Sequence, residues 1–175
     1  MALEIGGKLQ RFKAEINSIR RGNYKGRIKP HKPLMLLAVL DLMNAGIITE
    51  NRVTFDNTLK NKFQELFLIA HKEGDWCHPS EPFFHLRTAG FWFHKPRRGK
   101  EKACADLDTS GGGSRRILEN IEYAFFDPDS FMVLMDAEAR WELLNFVLQR
   151  FFQSQERRSL LQCLEPKGVG NKQGM

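Results

Sequence analysis

The segment KPHKPLMLLAVLDLM, residues 29–43, constrains the fold of this chain more than any other. Residues 34–40 carry no polar side chain, which is typical of an element buried on all sides. Pro33 fits a first helical turn, where a missing N–H costs nothing, and Gly46 is a stop signal. The sequence therefore predicts a core helix over residues 33–45, around which the other elements pack.

The start of this helix is stiff and cationic. His31 and Lys32 lie between Pro30 and Pro33, and the prolines hold the backbone extended with little entropy left to lose on binding. A helix N-terminus carries unpaired N–H groups and partial positive charge, which favour an anion. Two interpretations follow: a tight turn into a core helix with His31 hydrogen-bonded inside, or an anion site completed by Lys32.

The basic residues are clustered. The formal net charge of the 175 residues is +6, and residues 8–32 hold nine Lys and Arg against Glu15 alone. A second cluster occupies residues 95–102, and Arg115 and Arg116 follow a glycine run. Solvated faces usually mix both signs, so clusters of one sign favour phosphate binding.

Periodic apolar positions predict four further helices. The first has Leu9, Phe12, Ile16 and Ile19 on one face; the second follows an Asp56 cap and buries Leu59, Phe63, Leu66, Phe67 and Ala70. The third spans residues 115–126; the fourth follows an Asp136 cap and buries Trp141, Leu144, Leu148 and Phe151. The helix pattern predicts a mainly helical fold.

Short strands complete the predicted α+β fold. Residues 47–55 predict a β-hairpin like the wing of a winged helix, two extended runs flank Gly90, and FMVLM (131–135) predicts a strand. Residues 95–114 predict a long surface loop. The predicted domain covers residues 1–155, followed by a polar tail over 156–175.

Several classes of function are disfavoured. Cys77, Cys104 and Cys163 are odd in number and far apart, which indicates a reducing, cytoplasmic setting without a disulfide framework. We expect no membrane segment and no signal peptide. The His and Cys spacing matches no zinc pattern and no phosphate loop is present, so we predict no metal and no cofactor.

Three alternatives stay open. Asp129 and Glu138 are a faint match to the carboxylates of a two-metal nuclease. Residues 47–55 also suit a generic winged-helix DNA-binding module. In the third alternative, the chain is a protein-interaction domain whose basic face is incidental.

Two blocks of sequence together resemble a known family. His31-Lys32-Pro33 precedes LMLLAVL, and PFFHL (82–86) is followed by Gly90-Phe91-Trp92. In this order and spacing they resemble the sulfur-binding domains of phosphorothioate-dependent restriction systems. The resemblance implies a binding domain rather than an enzyme. Its partner would be double-stranded DNA in which sulfur replaces a non-bridging phosphate oxygen.

The resemblance also implies roles for individual residues. Pro82 and His85 would line a shallow apolar cavity for the sulfur, completed by His31 and Lys32, while arginines of the later basic loop would reach the bases. The predicted sulfur site comprises His31, Lys32, Pro33, Pro82, Phe83 and His85. The predicted contacts to DNA backbone and bases are Tyr24, Arg27, Lys29, Lys95, Arg97, Arg98, Arg115 and Arg116.

This chain departs from the family at two positions. The family often has tyrosine before the proline and a small residue three positions after it, where this chain has Glu81 and His85. A carboxylate beside a phosphate repels it unless it points away or accepts from a cytosine amino group. Reader domains of such systems are usually joined to a nuclease domain. The chain would therefore be an isolated reader, a piece of a longer protein with such a domain, or a subunit that recruits a nuclease.

Overall fold

Helix α2 (His31–Asn44) lies at the centre of the fold, and every residue from 33 to 40 is buried. The computed structural model describes residues 2–107 and 113–164. The α-helices of this described part are α1 (Ala2–Asn17), α2, α3 (Asn57–Ala70), α4 (Ser80–His85), α5 (Glu101–Ala105), α6 (Gly113–Asn120), α7 (Pro128–Met135), α8 (Ala137–Phe151) and α9 (Ser154–Leu164). The strands are β1 (Asn23–Tyr24), β2 (Arg27–Ile28), β3 (Trp92–Pro96) and β4 (Ile121–Phe126).

The core helix begins two residues earlier than predicted. Pro30 occupies the N-cap position without a side-chain cap, and the N–H of Leu34 donates to its carbonyl at 3.0 Å. Lys32 therefore lies inside the first turn rather than in front of it. Helices α3, α4 and α8 pack against α2, so its buried surface is shared by three neighbours.

Two aspartates cap helices as predicted. The Asp56 carboxylate accepts from the N–H of Leu59 at 2.9 Å, and Asp136 accepts from Ala139 at 2.8 Å. The predicted buried face of α3 is confirmed in full. On α8 the prediction is only partly right, because Trp141 is 36% exposed and the buried face also includes Leu143 and Val147.

The chain beyond residue 155 is helical rather than a tail over its described part. Residues up to 164 complete α9, which packs on α3 and α8 and buries Leu160 and Leu164. The rest of the predicted tail, residues 165–175, lies outside the described residues. The polar composition of α9 reflects its one-sided contact with the domain.

A small hairpin that the sequence did not predict follows α1. Strands β1 and β2 pair antiparallel through the turn Lys25-Gly26, in which both residues have positive φ (48° and 82°). Such turns match the twist of a hairpin, and glycine adopts this conformation without strain. The N–H of Gly26 donates to the Asn23 side chain at 2.8 Å. The hairpin returns the chain directly to the start of α2.

The predicted wing over residues 47–55 does not form. Val53 instead makes an isolated bridge to Ala124 of β4, with N···O distances of 2.7 and 2.8 Å. The Asn51 side chain donates to the Phe126 carbonyl and accepts from its N–H, both at 2.8 Å. This segment therefore extends the edge of β4 instead of folding on itself.

Three further predictions of local structure are wrong. PFFH is helical in α4, and only the chain after the turn at Gly90 is extended. The helix predicted over 115–126 ends at Asn120 and continues as β4, which pairs antiparallel with β3. FMVLM lies in α7, because Asp127 caps this helix by accepting from Ser130 at 3.1 Å, with Pro128 in its first turn.

The predicted loop over residues 95–114 is partly regular. Its described part includes the end of β3, helix α5 and the start of α6, while residues 108–112 lie outside the described residues. Among the described helices, none has both the length and the apolar character required to cross a bilayer. Cys77, Cys104 and Cys163 are all free thiols.

Candidate nucleic-acid interface

A cleft of about 490 Å³ opens where α1 ends, the β1–β2 hairpin returns and α2 begins. We call it the Pro82 cleft. One wall is the first turn of α2 and another is α4, and these two helices pack together. The residues that line it are Arg20, Arg21, Gly22, Lys29, His31, Lys32, Glu81, Pro82, His85 and Thr88. Five predicted site residues thus come together: Lys29, His31, Lys32, Pro82 and His85.

Lys32 is held in place inside the cleft. Its half-buried ammonium donates to the Arg20 carbonyl at 2.5 Å and lies 3.4 Å from the Thr88 hydroxyl. Burial, followed by the charge of Arg20, lowers the pKa of Lys32. An anion entering the cleft would relieve this unfavourable environment by supplying the missing negative charge.

The cations of the cleft lack carboxylate partners, unlike those of α1. Within the described ranges, Arg20, Arg21, Lys29 and Lys32 form no ion pair. On α1, by contrast, Lys8 pairs with Glu4 at 2.7 Å and with Asp129 at 3.3 Å, and Arg11 and Lys13 also have acidic partners. Of the nine cations in this run, the three on α1 and Arg27 have carboxylate partners, whereas the four that line the cleft have charge free for a ligand.

Pro82 and His85 form the less polar side of the cleft. Pro82 is largely buried and occupies the first turn of α4, where its ring replaces a backbone N–H. His85 lies one turn later, edge-on to the Phe84 ring with centroids 5.3 Å apart. Burial, followed by the Lys32 charge, lowers the pKa of His85, so its imidazole is neutral at pH 7. This side of the cleft thus presents an uncharged surface beside the ammonium.

His31 is a buried structural histidine as well as a cleft residue. Its ring lies 5.5 Å from the Phe67 ring, and Nε2 donates to the Trp76 carbonyl at 2.8 Å. Nδ1 is buried and has no hydrogen-bond partner among the described residues. The first interpretation of the helix start is confirmed, because His31 is hydrogen-bonded inside. Lys32 lines the cleft, and an anion site there stays a prediction.

Arg27 and Tyr24, two predicted DNA contacts, support the loop that carries Trp76. Arg27 forms a 2.7 Å ion pair with the buried Asp75 carboxylate. Tyr24 packs so closely on Gly74 that an added Cβ there would come within 2.4 Å of the ring. Neither side chain lines the Pro82 cleft.

Phe83 and Pro33, predicted at the sulfur site, are core residues. Phe83 is fully buried, edge-on to Trp92 at 5.6 Å, and Pro33 is buried in α2. Neither lines the cleft, because the helical turn of α4 directs Phe83 away from the face that holds Pro82 and His85. The sequence reasoning missed this because it expected an extended backbone here.

The later basic residues lie beside α4 rather than in the cleft. Arg97 donates to the Leu118 carbonyl at 2.6 Å, Arg115 pairs with Glu119 at 2.9 Å, and Lys95, Arg98 and Arg116 are exposed. Helix α6, which carries Arg115 and Arg116, packs on α4. Helix α4 therefore adjoins both the cleft and the helix that carries Arg115 and Arg116.

The carboxylates considered for a nuclease are arranged differently from a metal site. Asp129 pairs with Lys8 and Arg11, each at 3.3 Å, and Glu138 is exposed on the next helix. In the part of the chain that the structure describes, no group of three or more His, Cys, Asp or Glu could hold a metal ion.

Comparison with known families decides between the remaining interpretations. The model of the family described as "ScoMcrA-like, DNA sulfur-binding domain" matches residues 9–166. The chain belongs to this family. The sulfur-binding domain is a DNA-binding module, so family membership excludes the enzyme and protein-interaction alternatives as its main role.

A solved structure shares the fold of this sulfur-binding domain. It is described as "Sulfur binding domain of SprMcrA complexed with phosphorothioated DNA" and matches with a TM-score of 0.66 and 16% sequence identity. The match covers 88% of this chain and 91% of that chain. No curated protein sequence matches this chain.

Sequence reasoning missed several residues of the cleft in this sulfur-binding domain. Arg20, Arg21 and Thr88 line it, although none was predicted as a site residue. Arg20 and Arg21 belong to the basic cluster of residues 8–32, and this clustering was the sequence signal that could have identified them. Thr88 gave no signal in the sequence, because its position depends on the turn that follows α4.

Proposed function

We propose that this sulfur-binding domain binds phosphorothioate-modified double-stranded DNA with the sulfur against Pro82 and His85 in the Pro82 cleft. The observation that carries the proposal is the apolar proline ring directly beside cations without acidic partners. Family membership supports the class of ligand. The placement of the sulfur rests on the chemistry of the cleft.

Sulfur and oxygen differ in how much hydration each loses in such a cleft. Sulfur is larger, more polarisable and a weaker hydrogen-bond acceptor than oxygen, so contact with a proline ring costs it little. An unmodified phosphate oxygen placed there loses water without a replacement donor, at a cost of roughly 1–3 kcal/mol. That cost corresponds to roughly 5- to 150-fold discrimination at one atom. Pro82 sharpens the difference because it has no N–H to offer the oxygen.

The cations supply affinity that does not depend on sequence. Lys32, Lys29, Arg20 and Arg21 line the cleft and would contact phosphates near the modified linkage. The first turn of α2 adds the partial positive charge of a helix N-terminus. The exposed arginines of α6, which packs on α4, would read bases, for which guanine O6 and N7 are the preferred partners.

Paired binding measurements test the proposal. One duplex is prepared with and without a single sulfur, and both are titrated at several salt concentrations. We expect tighter binding of the thiolated duplex at every salt concentration, with similar salt slopes for the two duplexes. Equal affinities for the plain and the thiolated duplex, in every flanking sequence tested, would contradict the proposal and leave a generic DNA-binding module.

His85 makes a pH dependence of this binding a specific expectation. Lys32 of α2 and Arg87 of the turn after α4 disfavour its protonation along with burial, while Glu81 favours it. A bound anion raises the pKa of the imidazole, so the complex binds a proton that the free domain does not. Affinity should therefore rise as the pH falls, by roughly threefold between about pH 7.5 and 5.5.

The His85→Gln variant is the control for this titration. Glutamine keeps a polar side chain of similar reach but does not titrate, so its affinity should stay nearly constant over the same range. Parallel profiles for the two proteins would show that His85 takes up no proton on binding.

A further inference from the structure

Glu81 is an acidic residue in a cleft of cations. Of the described residues that line the Pro82 cleft, it alone is acidic. It is half-buried in the first turn of α4, directly before Pro82. The cleft also holds two arginines and two lysines, yet among the described residues Glu81 forms no ion pair. Its carboxylate is therefore not used to neutralise the site.

A carboxylate in this position weakens binding of DNA in general. The modified linkage proposed to lie on Pro82 is an anion, and its neighbouring phosphates are anions as well. Like charges this close repel each other, and the repulsion is stronger where water is partly excluded. The penalty is offset only if the DNA presents a hydrogen-bond donor to the carboxylate.

Cytosine is the base that offers such a donor. In the major groove it presents the N4 amino group, whereas guanine presents the acceptors O6 and N7 and thymine presents the acceptor O4. Adenine has an amino group, but its N7 acceptor lies beside it and suits an amide better than a carboxylate. A single carboxylate can therefore separate cytosine from the other three bases.

We propose that Glu81 selects cytosine next to the sulfur-bearing linkage by accepting a hydrogen bond from its N4 amino group. The inference rests on the proposed function, because it requires the linkage to lie on Pro82. Selectivity then has two sources at adjacent residues: Pro82 distinguishes sulfur from oxygen, and Glu81 distinguishes the base. The repulsion from Glu81 also lowers the affinity for DNA that lacks the correct base.

The test uses the whole chain and a panel of duplexes. Each duplex carries one of the four bases on either side of the linkage, with or without sulfur. We expect the wild-type protein to prefer cytosine at one flanking position by roughly tenfold. In Glu81→Ala this preference should disappear, while affinity for the other three bases rises by roughly three- to tenfold.

Two more variants separate charge from hydrogen bonding. Glu81→Gln keeps an acceptor oxygen without the charge, so it should gain affinity for all bases and retain part of the cytosine preference. Glu138→Gln makes the same change of charge at the first turn of α8. That site is near the far end of α2, because Arg140 contacts Asn44 and α2 is about 20 Å long. Its binding profile should match the wild-type profile.

The outcomes distinguish the two proposals. Wild-type protein that binds plain and thiolated duplexes equally contradicts the proposed function itself. A sulfur preference that persists while Glu81→Ala keeps its full cytosine preference overturns only the role of Glu81. A uniform gain for all four bases in Glu81→Ala overturns it as well, since the carboxylate would then only repel. Thermal unfolding of each variant verifies that α4 is intact.

Discussion

Pro82→Ala should lower the affinity for thiolated DNA roughly tenfold and change the affinity for plain DNA by less than about twofold. Two effects both lower the ratio of the affinity for thiolated DNA to the affinity for plain DNA. The ring methylenes proposed to contact the sulfur are lost, and alanine adds a backbone N–H in the first turn of α4. The first N–H groups of a helix have no partner inside the helix, so alanine adds a donor that a plain phosphate can use better than sulfur can. Binding titrations with the paired duplexes measure the ratio.

Pro128→Ala is the matched control for this variant. Pro128 also stands in the first turn of a helix, α7, outside the cleft. Both substitutions change the flexibility of the unfolded chain in the same way, so a general effect on stability appears in both. If Pro82→Ala loses equal affinity for the two duplexes, the proline does not contact the sulfur.

Lys32→Met should weaken binding of both duplexes, roughly tenfold at low salt. Methionine keeps the apolar stem that packs in the half-buried position but removes the charge. Because one phosphate contact is lost, the slope of log affinity against log salt should become shallower by about 0.9. The sulfur-to-oxygen ratio should stay nearly unchanged, which distinguishes Lys32 from Pro82.

Lys8→Met provides the comparison for the loss of charge. Lys8 is already paired with Glu4 and Asp129 on the other half of the basic run. Lys8→Met lowers the net charge by the same amount as Lys32→Met, but it should leave the salt slope within error of the wild-type slope. An unchanged slope in Lys32→Met would place Lys32 away from any phosphate.

The elements that could be predicted from the sequence are those with strong local signals. The core helix follows from its apolar run, and Asp56 and Asp136 mark helix starts because a carboxylate there accepts an orphan N–H. Asp127-Pro128 carries the same signal, but it also directly follows the helix predicted over residues 115–126 and suits the end of that helix. The short apolar run FMVLM that follows then suits a strand as well as a helix.

Tertiary contacts decided the segments that sequence patterns could not. Ile121–Phe126 forms a strand because β3 and Val53 pair with its two edges, which no local pattern reveals. Short apolar runs suit a helix or a strand equally well until a neighbour is known. The Pro82 cleft contains residues that the sequence could identify and residues whose position depends on tertiary contacts. The family resemblance identified Pro82, His85 and Lys32 as cleft residues. Arg20 and Arg21 line the cleft because the tight hairpin that follows them, which was not predicted, returns the chain to α2 beside them.

Helix α2 is both the core helix and a wall of the Pro82 cleft, and this has a consequence for DNA recognition. One helix forms the middle of the interior and, through its first turn, a wall of the cleft proposed to bind DNA. That wall cannot shift without disturbing most of the packed interior, so DNA meets a rigid template and little motion is lost on docking. New preferences among related proteins would then arise by exchanging side chains on α4, while the helix beneath them stays fixed.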